Sequence, residues 1–224
     1  LGGTRASAAG AAGRAAVRHL RYQGAAPEIQ RAALLQIVQA SPVLMRTLRI
    51  ARAMDLPDWW LVSGAIYGQV WNALTDRPEM HGVKDLDLFY FDPDTSYDAE
   101  DRQIRRAADL FPPAPPVELR NQARVPLWYP EHFGRPYPAI QSSAEAIDLF
   151  ACTTHCVGLR LEPDESLTLY APYGLEPIFA FRLEPNPRLD NRYDELSPAF
   201  LSMLHWVMNT CNTKGVDVSL CGEM

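Results

Sequence analysis

Asp85 and Asp87 stand one residue apart within Val83-Lys84-Asp85-Leu86-Asp87-Leu88-Phe89-Tyr90-Phe91. The surrounding residues alternate in polarity and are rich in aliphatic and aromatic side chains, which predicts a half-buried strand. Residues i and i+2 of a strand share a face, so both carboxylates project together. Two like charges held that close repel each other and are costly to bury without a cation between them. The pair therefore suits a hard divalent metal. Alone, the motif is weak, because Asp is also common at strand ends and turns.

The upstream residues strengthen it. Trp60-Leu61-Val62 is a short apolar strand running into Ser63-Gly64, and Ile66 to Leu74 carries apolar residues at helical spacing. A strand, a glycine turn and a helix N-terminus make an anion site, because free backbone N–H groups and the positive end of the helix dipole face the ligand. Gly64 has no Cβ, which permits close approach of a phosphate. An anion cradle followed by an Asp-x-Asp strand is the order a nucleotide-using phosphoryl transferase needs.

That order resembles the nucleotidyltransferase superfamily typified by DNA polymerase β. Four segments more closely resemble an uncharacterised bacterial nucleotidyltransferase branch: 64–72, 84–92, 121–125 and 171–175. The resemblance implies an α/β (α+β) fold, a mixed β-sheet flanked by helices, with an N-terminal helical segment. It also implies a third carboxylate on a later strand. Val117-Glu118-Leu119-Arg120-Asn121 follows a proline-rich turn and reads as that strand, which makes Glu118 the candidate.

By the same resemblance, Asp85, Asp87 and Glu118 are the expected catalytic and metal-binding residues, with Mg²⁺ or Mn²⁺ as cofactor. Ser63 and Gly64 are expected to grip the β- and γ-phosphates of an NTP. Arg124 is a further nucleotide-binding candidate, since a guanidinium suits bidentate phosphate contact. The implied reaction moves a nucleotide from an NTP to a hydroxyl acceptor that the sequence does not identify. An alternative of a different class is a catalytically inactive module that uses the same fold to bind a nucleotide.

Composition narrows the partners. The 224 residues carry a net charge of -6, which argues against a long nucleic acid held by counterion release. Hydrophobic content of 47% is enough for a core, and no apolar run is long enough to span a bilayer. Cys152, His155 and Cys156 cluster, but Cys211 and Cys221 lie too far on to complete a recognisable zinc spacing. A disulfide is not expected in what reads as a cytoplasmic, reducing-compartment enzyme.

The elements that must position these residues follow from periodicity. Two helices are predicted over 27–40 and 42–54, the first turning Ile29, Ala33, Ile37 and Ala40 inward and the second capped by Ser41. A charged amphipathic helix is predicted over 97–110, strands over 117–122 and 124–129, and a short Ser-capped helix from Ser143. Strands 157–161 and 167–170 form a hairpin about Glu162-Pro163-Asp164-Glu165. Residues 1–26 are expected to be a disordered or mis-started segment, 27–207 the nucleotidyltransferase-like domain, and 208–224 a divergent tail.

Overall fold

The computed structural model describes residues 18–134 and 136–189. Two helices, α1 (Pro27–Gln39) and α2 (Pro42–Ala53), precede strand β1 (Trp60–Val62) and helix α3 (Gly64–Leu74). Then come β2 (Leu86–Tyr90), α4 (Tyr97–Leu110) and β3 (Val117–Asn121). A 3₁₀ turn at Gln122–Arg124 leads into α5 (Val125–Phe133), followed by α6 (Ser143–Ile147). The hairpin of β4 (Gly158–Leu161) and β5 (Leu167–Tyr170) and the short α7 (Glu176–Phe179) complete the described chain.

The five strands form one mixed sheet in the order β3-β2-β1-β4-β5. β2 and β3 are parallel, and the other neighbours are antiparallel. One face carries Leu61, Leu86, Leu88, Leu119 and Leu159 into a core shared with Leu34, Leu48, Ile66 and Val70 of the first three helices. The opposite face carries a smaller cluster of Trp60, Val62, Ile147 and Cys156, with Phe89 and Phe150 against it.

Helix α2 begins as expected, with the Ser41 hydroxyl accepting from the Leu44 amide at 3.1 Å. Helix α1 differs from its expected orientation. Ile29 is 52% exposed, whereas Gln30, Ala33, Leu34 and Val38 are buried. Gln30 goes inside because its amide donates to the Tyr22 carbonyl and to the Glu176 carboxylate at 2.6 Å. A satisfied amide can be buried at little cost, so the helix turns toward it.

Residues 18–26, within the segment expected to be disordered or mis-started, pack against the rest of the chain. Leu20 and Tyr22 pack against the core, and the Gly24 amide donates to Glu176. Residues 1–17 and the 208–224 tail, with Cys211 and Cys221, lie outside the described residues.

The strand expected over 124–129 is instead the 3₁₀ turn and the start of α5. Pro126 lacks an N–H and so cannot donate to a sheet ladder, but the first turn of a helix tolerates it. The Asn121 side chain accepts from the Ala123 amide and redirects the chain at the end of β3.

Candidate active site

Strand register brings the candidate carboxylates together. Asp87 on β2 is the in-register partner of Glu118 on parallel β3. Side chains of in-register parallel partners share a face, and neighbouring strands are ~4.8 Å apart. Leu86, Leu88 and Tyr90 point into the core, so Asp87 and Phe89 occupy the other face. Asp85 immediately precedes the strand and alternates with Leu86, which puts it on the Asp87 side. Glu118 is exposed and pairs with Arg120 at 3.4 Å.

The same register delivers Ser63 and Gly64. β1 runs antiparallel to β2, with Trp60 opposite Phe89 and Leu61 opposite Leu88. Continuing that ladder, Val62 faces Asp87 and the end of β1 opens beside Asp85. Ser63 therefore turns the chain into α3 next to the carboxylates.

Ser63, rather than Gly64, adopts the unusual backbone, with φ 55° and ψ −119°. That conformation is costly for a residue with a side chain and persists only where its surroundings impose it. Here the Ser63 amide donates to the Val157 carbonyl at 2.9 Å. Its own carbonyl accepts from the Ile66 and Tyr67 amides. The Gly64 and Ala65 amides are left at the helix start, where no intrahelical acceptor exists. A Cβ built on Gly64 would meet nothing nearer than the Tyr67 hydroxyl at 3.9 Å, so internal packing does not demand glycine there.

Helix α3 also anchors the segment that leads to Asp85. The Gln69 side chain accepts from the Met80 amide at 3.0 Å, and Asn72 donates to the His81 carbonyl at 3.0 Å. A Cβ on Gly68 would stand 3.1 Å from Val83 Cγ2, so the helix and this segment pass very close. Trp71 fixes the far side of the helix by donating to the Ile178 carbonyl at 2.7 Å. The anion-cradle helix and the Asp85 approach are thus one braced unit.

Burial, followed by the negative charges of Asp85 and Glu118, pushes the Asp87 carboxyl up to about 7, with Arg120 opposing. A cation would relieve that crowding, and three carboxylates are the hard oxygen donors that Mg²⁺ prefers. Among the described residues, no three Asp, Glu, His or Cys side chains form a ready-made metal cage. Mg²⁺ does not require one, because it is commonly held by one or two carboxylates together with substrate phosphates. The donor set fits the ion on that basis.

Arg124 is not brought to this end. It follows β3, past Asn121, which pairs with Tyr90 at the opposite end of the β2–β3 ladder. Three strand residues from Asp87 to Tyr90 span ~10 Å. Arg124 there forms an ion pair with Glu100 at 2.8 Å, both side chains being less than one-fifth exposed. Lys84 is exposed beside Asp85, while the Tyr173 hydroxyl donates to Asn186 Oδ1 at 2.9 Å. His155 lies buried in a 3₁₀ turn just before β4, with Cys152 and Cys156 buried as free thiols.

Sequence reasoning missed an aromatic cavity on the carboxylate face. It has a volume of about 350 Å³ and is lined by Phe89, Arg120, Trp128, Tyr129, Tyr137 and Phe150, among others. These residues come from separated segments, so no local periodicity announces them.

Comparison with known proteins bears on the fold and the family. A solved NMR structure described as revealing a CCA-adding enzyme head domain is similar over 84% of this chain and 94% of its own, with 30% identity and a TM-score of 0.66. Two tRNA-processing enzyme structures, at 14% and 15% identity and a TM-score of 0.44, are matched over 77% of this chain but only 44% and 42% of theirs. No curated protein matches the chain. A family profile described as nucleotidyltransferase matches residues 49–201. The chain belongs to the nucleotidyltransferase family.

Proposed function

We propose that this nucleotidyltransferase is metal-dependent and transfers the nucleotidyl group of an NTP to a hydroxyl acceptor through Asp85, Asp87 and Glu118. The observation that carries the reading is the register that sets Asp87 opposite Glu118, with the N-terminus of α3 opening beside Asp85.

Asp85 and Asp87 are the residues to hold Mg²⁺. When bound, the ion supplies charge neutralisation at the α-phosphate and at the attacking and leaving oxygens. The Gly64 and Ala65 amides bind the terminal phosphates, and the absence of a packing need for glycine at 64 supports close phosphate approach. Glu118 accepts the proton of the acceptor hydroxyl. The freed oxygen bonds to the α-phosphorus as the bond to the pyrophosphate oxygen breaks, and pyrophosphate leaves toward Ser63 and Gly64. Arg124 has no part in this scheme, because its guanidinium is committed to Glu100.

The test is Mn²⁺ binding in the presence of a nonhydrolysable NTP, followed by electron paramagnetic resonance, for the wild type and Asp87→Asn. Saturable binding in the wild type, weakened at least tenfold in the variant, is the expected result. Equal binding in both proteins would remove Asp87 from the metal site. No helix of the described residues is long and apolar enough to cross a membrane, so the assay needs no lipid for such a helix.

A further inference from the structure

The aromatic cavity shares its sheet face with the carboxylates. Phe89 lies two residues beyond Asp87 on β2, and Arg120 two beyond Glu118 on β3, a step of ~6.6 Å along each strand. Its far wall is made by Trp128 and Tyr129 of α5, with Tyr137 packed on Tyr129 at 4.8 Å between ring centroids. Phe150 closes it by stacking on Phe89 at 5.5 Å and 18°. Trp128 is 47% exposed, so a large ring borders this space without being consumed by the core.

Position across the sheet separates donor from acceptor. Ser63 and Gly64 follow β1, Asp87 lies on the adjacent β2, and Glu118 lies on β3 beyond it. In-line displacement requires the attacking oxygen and the departing pyrophosphate on opposite sides of the phosphorus. With pyrophosphate over the β1 side, the attacking hydroxyl arrives over β3. The cavity is built from β2, β3, Glu100 of α4 and the elements that follow β3 in the chain.

The lining also sets the chemical class. Glu100 is the one acid among the residues lining the cavity, and Arg124 neutralises it. A polycationic amino sugar would therefore find no free counter-charge. Flat aromatic walls suit stacking of a planar ring, and Gln122, whose Nε2 donates to the Arg120 carbonyl at 3.3 Å, adds a neutral amide to the lining. About 350 Å³ is near the small end for a ligand site, which fits one nucleoside-sized group.

We propose that this cavity is the acceptor subsite and that the acceptor presents a nucleoside, its ring against Trp128 and Tyr129 and its sugar hydroxyl toward Glu118. This rests on the transferase reading above.

The experiment titrates adenosine, guanosine, cytidine and uridine into the protein with Mg²⁺ and a saturating nonhydrolysable NTP, followed by NMR chemical shifts. At least one nucleoside is expected to bind saturably, with affinity falling about tenfold or more in Trp128→Ala and recovering in Trp128→Phe. Asp87→Asn is expected to keep nucleoside binding while losing Mn²⁺-NTP binding, which separates the two readings. Absence of binding by all four nucleosides, with Mn²⁺-NTP binding intact, overturns the acceptor subsite and leaves the transferase reading standing. Competition between nucleoside and NTP analogue, or loss of analogue affinity in Trp128→Ala, would instead make the cavity a donor-base pocket and overturn the proposal. A hexaribonucleotide that binds the protein as tightly as its free terminal nucleoside does, with the same loss in Trp128→Ala, would identify an RNA end as the source of the nucleoside and would support the proposal.

Discussion

Asp87 and Glu118 are in-register partners across the only parallel pair of strands among the described residues. Neighbouring carboxylates on one sheet face are unfavourable for folding, and here burial, followed by the charges of Asp85 and Glu118, raises the Asp87 carboxyl. The chain carries that cost at the one place where β1 ends and α3 begins. Ser63 adds a second local cost there through its positive φ.

Asp87→Asn should therefore separate stability from activity. The folded-state pKa of Asp87, about 7, stands above its ordinary 3.8. A raised pKa means that the native state holds the proton more tightly than the unfolded chain. The stability it contributes is complete below about pH 4 and is lost as pH rises to 7. At pH 8 without metal, Asp87→Asn should thus be more stable than the wild type, by on the order of 1–3 kcal/mol. Nucleotidyl transfer should fall by at least a hundredfold in the same protein. Thermal melts at pH 5 and pH 8, with and without Mg²⁺, check this, and a variant melting below the wild type at pH 8 would contradict it.

Arg124→Ala should behave as a structural lesion. The Arg124 guanidinium bonds the Glu100 carboxylate at 2.8 Å, and Glu100 in turn accepts from the Asn121 amide at 3.0 Å. Asn121 holds Asp92 through both ends of its side-chain amide. Removing the cation leaves a mostly buried carboxylate unpaired at the junction of α4, β3 and the 3₁₀ turn. A loss of about 1–3 kcal/mol is expected, with the affinity for Mn²⁺-NTP within about twofold of the wild type. Chemical denaturation and Mn²⁺-NTP titration read the two quantities separately. Unchanged stability with lost nucleotide affinity would return Arg124 to the nucleotide site.

Local signals and long-range ones were unequally legible in the sequence. The strand at Leu86, the helix over 97–110 and the 158–170 hairpin were readable because each has a complete period and clear boundary residues. The join of Ser63-Gly64 to Asp85-Leu86-Asp87 was readable as an order along the chain, but its closeness in space depends on β1–β2 register. Residues 124–129 misled because Arg124, Val125, Leu127 and Tyr129 imitate alternation, and only Pro126 speaks against a ladder. Ile29 misled because apolarity alone ranks it above Gln30, whose burial depends on Glu176 far along the chain. The aromatic cavity had no sequence signature, since Phe89, Trp128 and Phe150 meet only after the sheet has formed.

His155 should give the protein an acid limit independent of the carboxylates. It is buried, stacks on Tyr67 with centroids 5.0 Å apart and an interplanar angle of 11°, and has no hydrogen-bond partner for Nε2. Burial pushes its pKa down from 6.5 to about 4, because the imidazolium would lose hydration without gaining a counter-charge. The unfolded chain therefore binds the proton more readily than the native state. The stability contributed by neutral His155 is complete above pH 6.5 and is lost as pH falls toward 4. His155→Phe keeps an aromatic ring against Tyr67 while removing the titration and the unpaired nitrogen. Between pH 7 and pH 4, the variant should lose less stability than the wild type by on the order of 2–3 kcal/mol, with little change at pH 7.5. Because Tyr67 sits in the first turn of α3, with its hydroxyl 3.9 Å from the position of a Gly64 Cβ, Mn²⁺-NTP affinity at neutral pH reports whether the new ring has moved the helix. Parallel acid-unfolding curves for the two proteins would show that His155 does not set the limit.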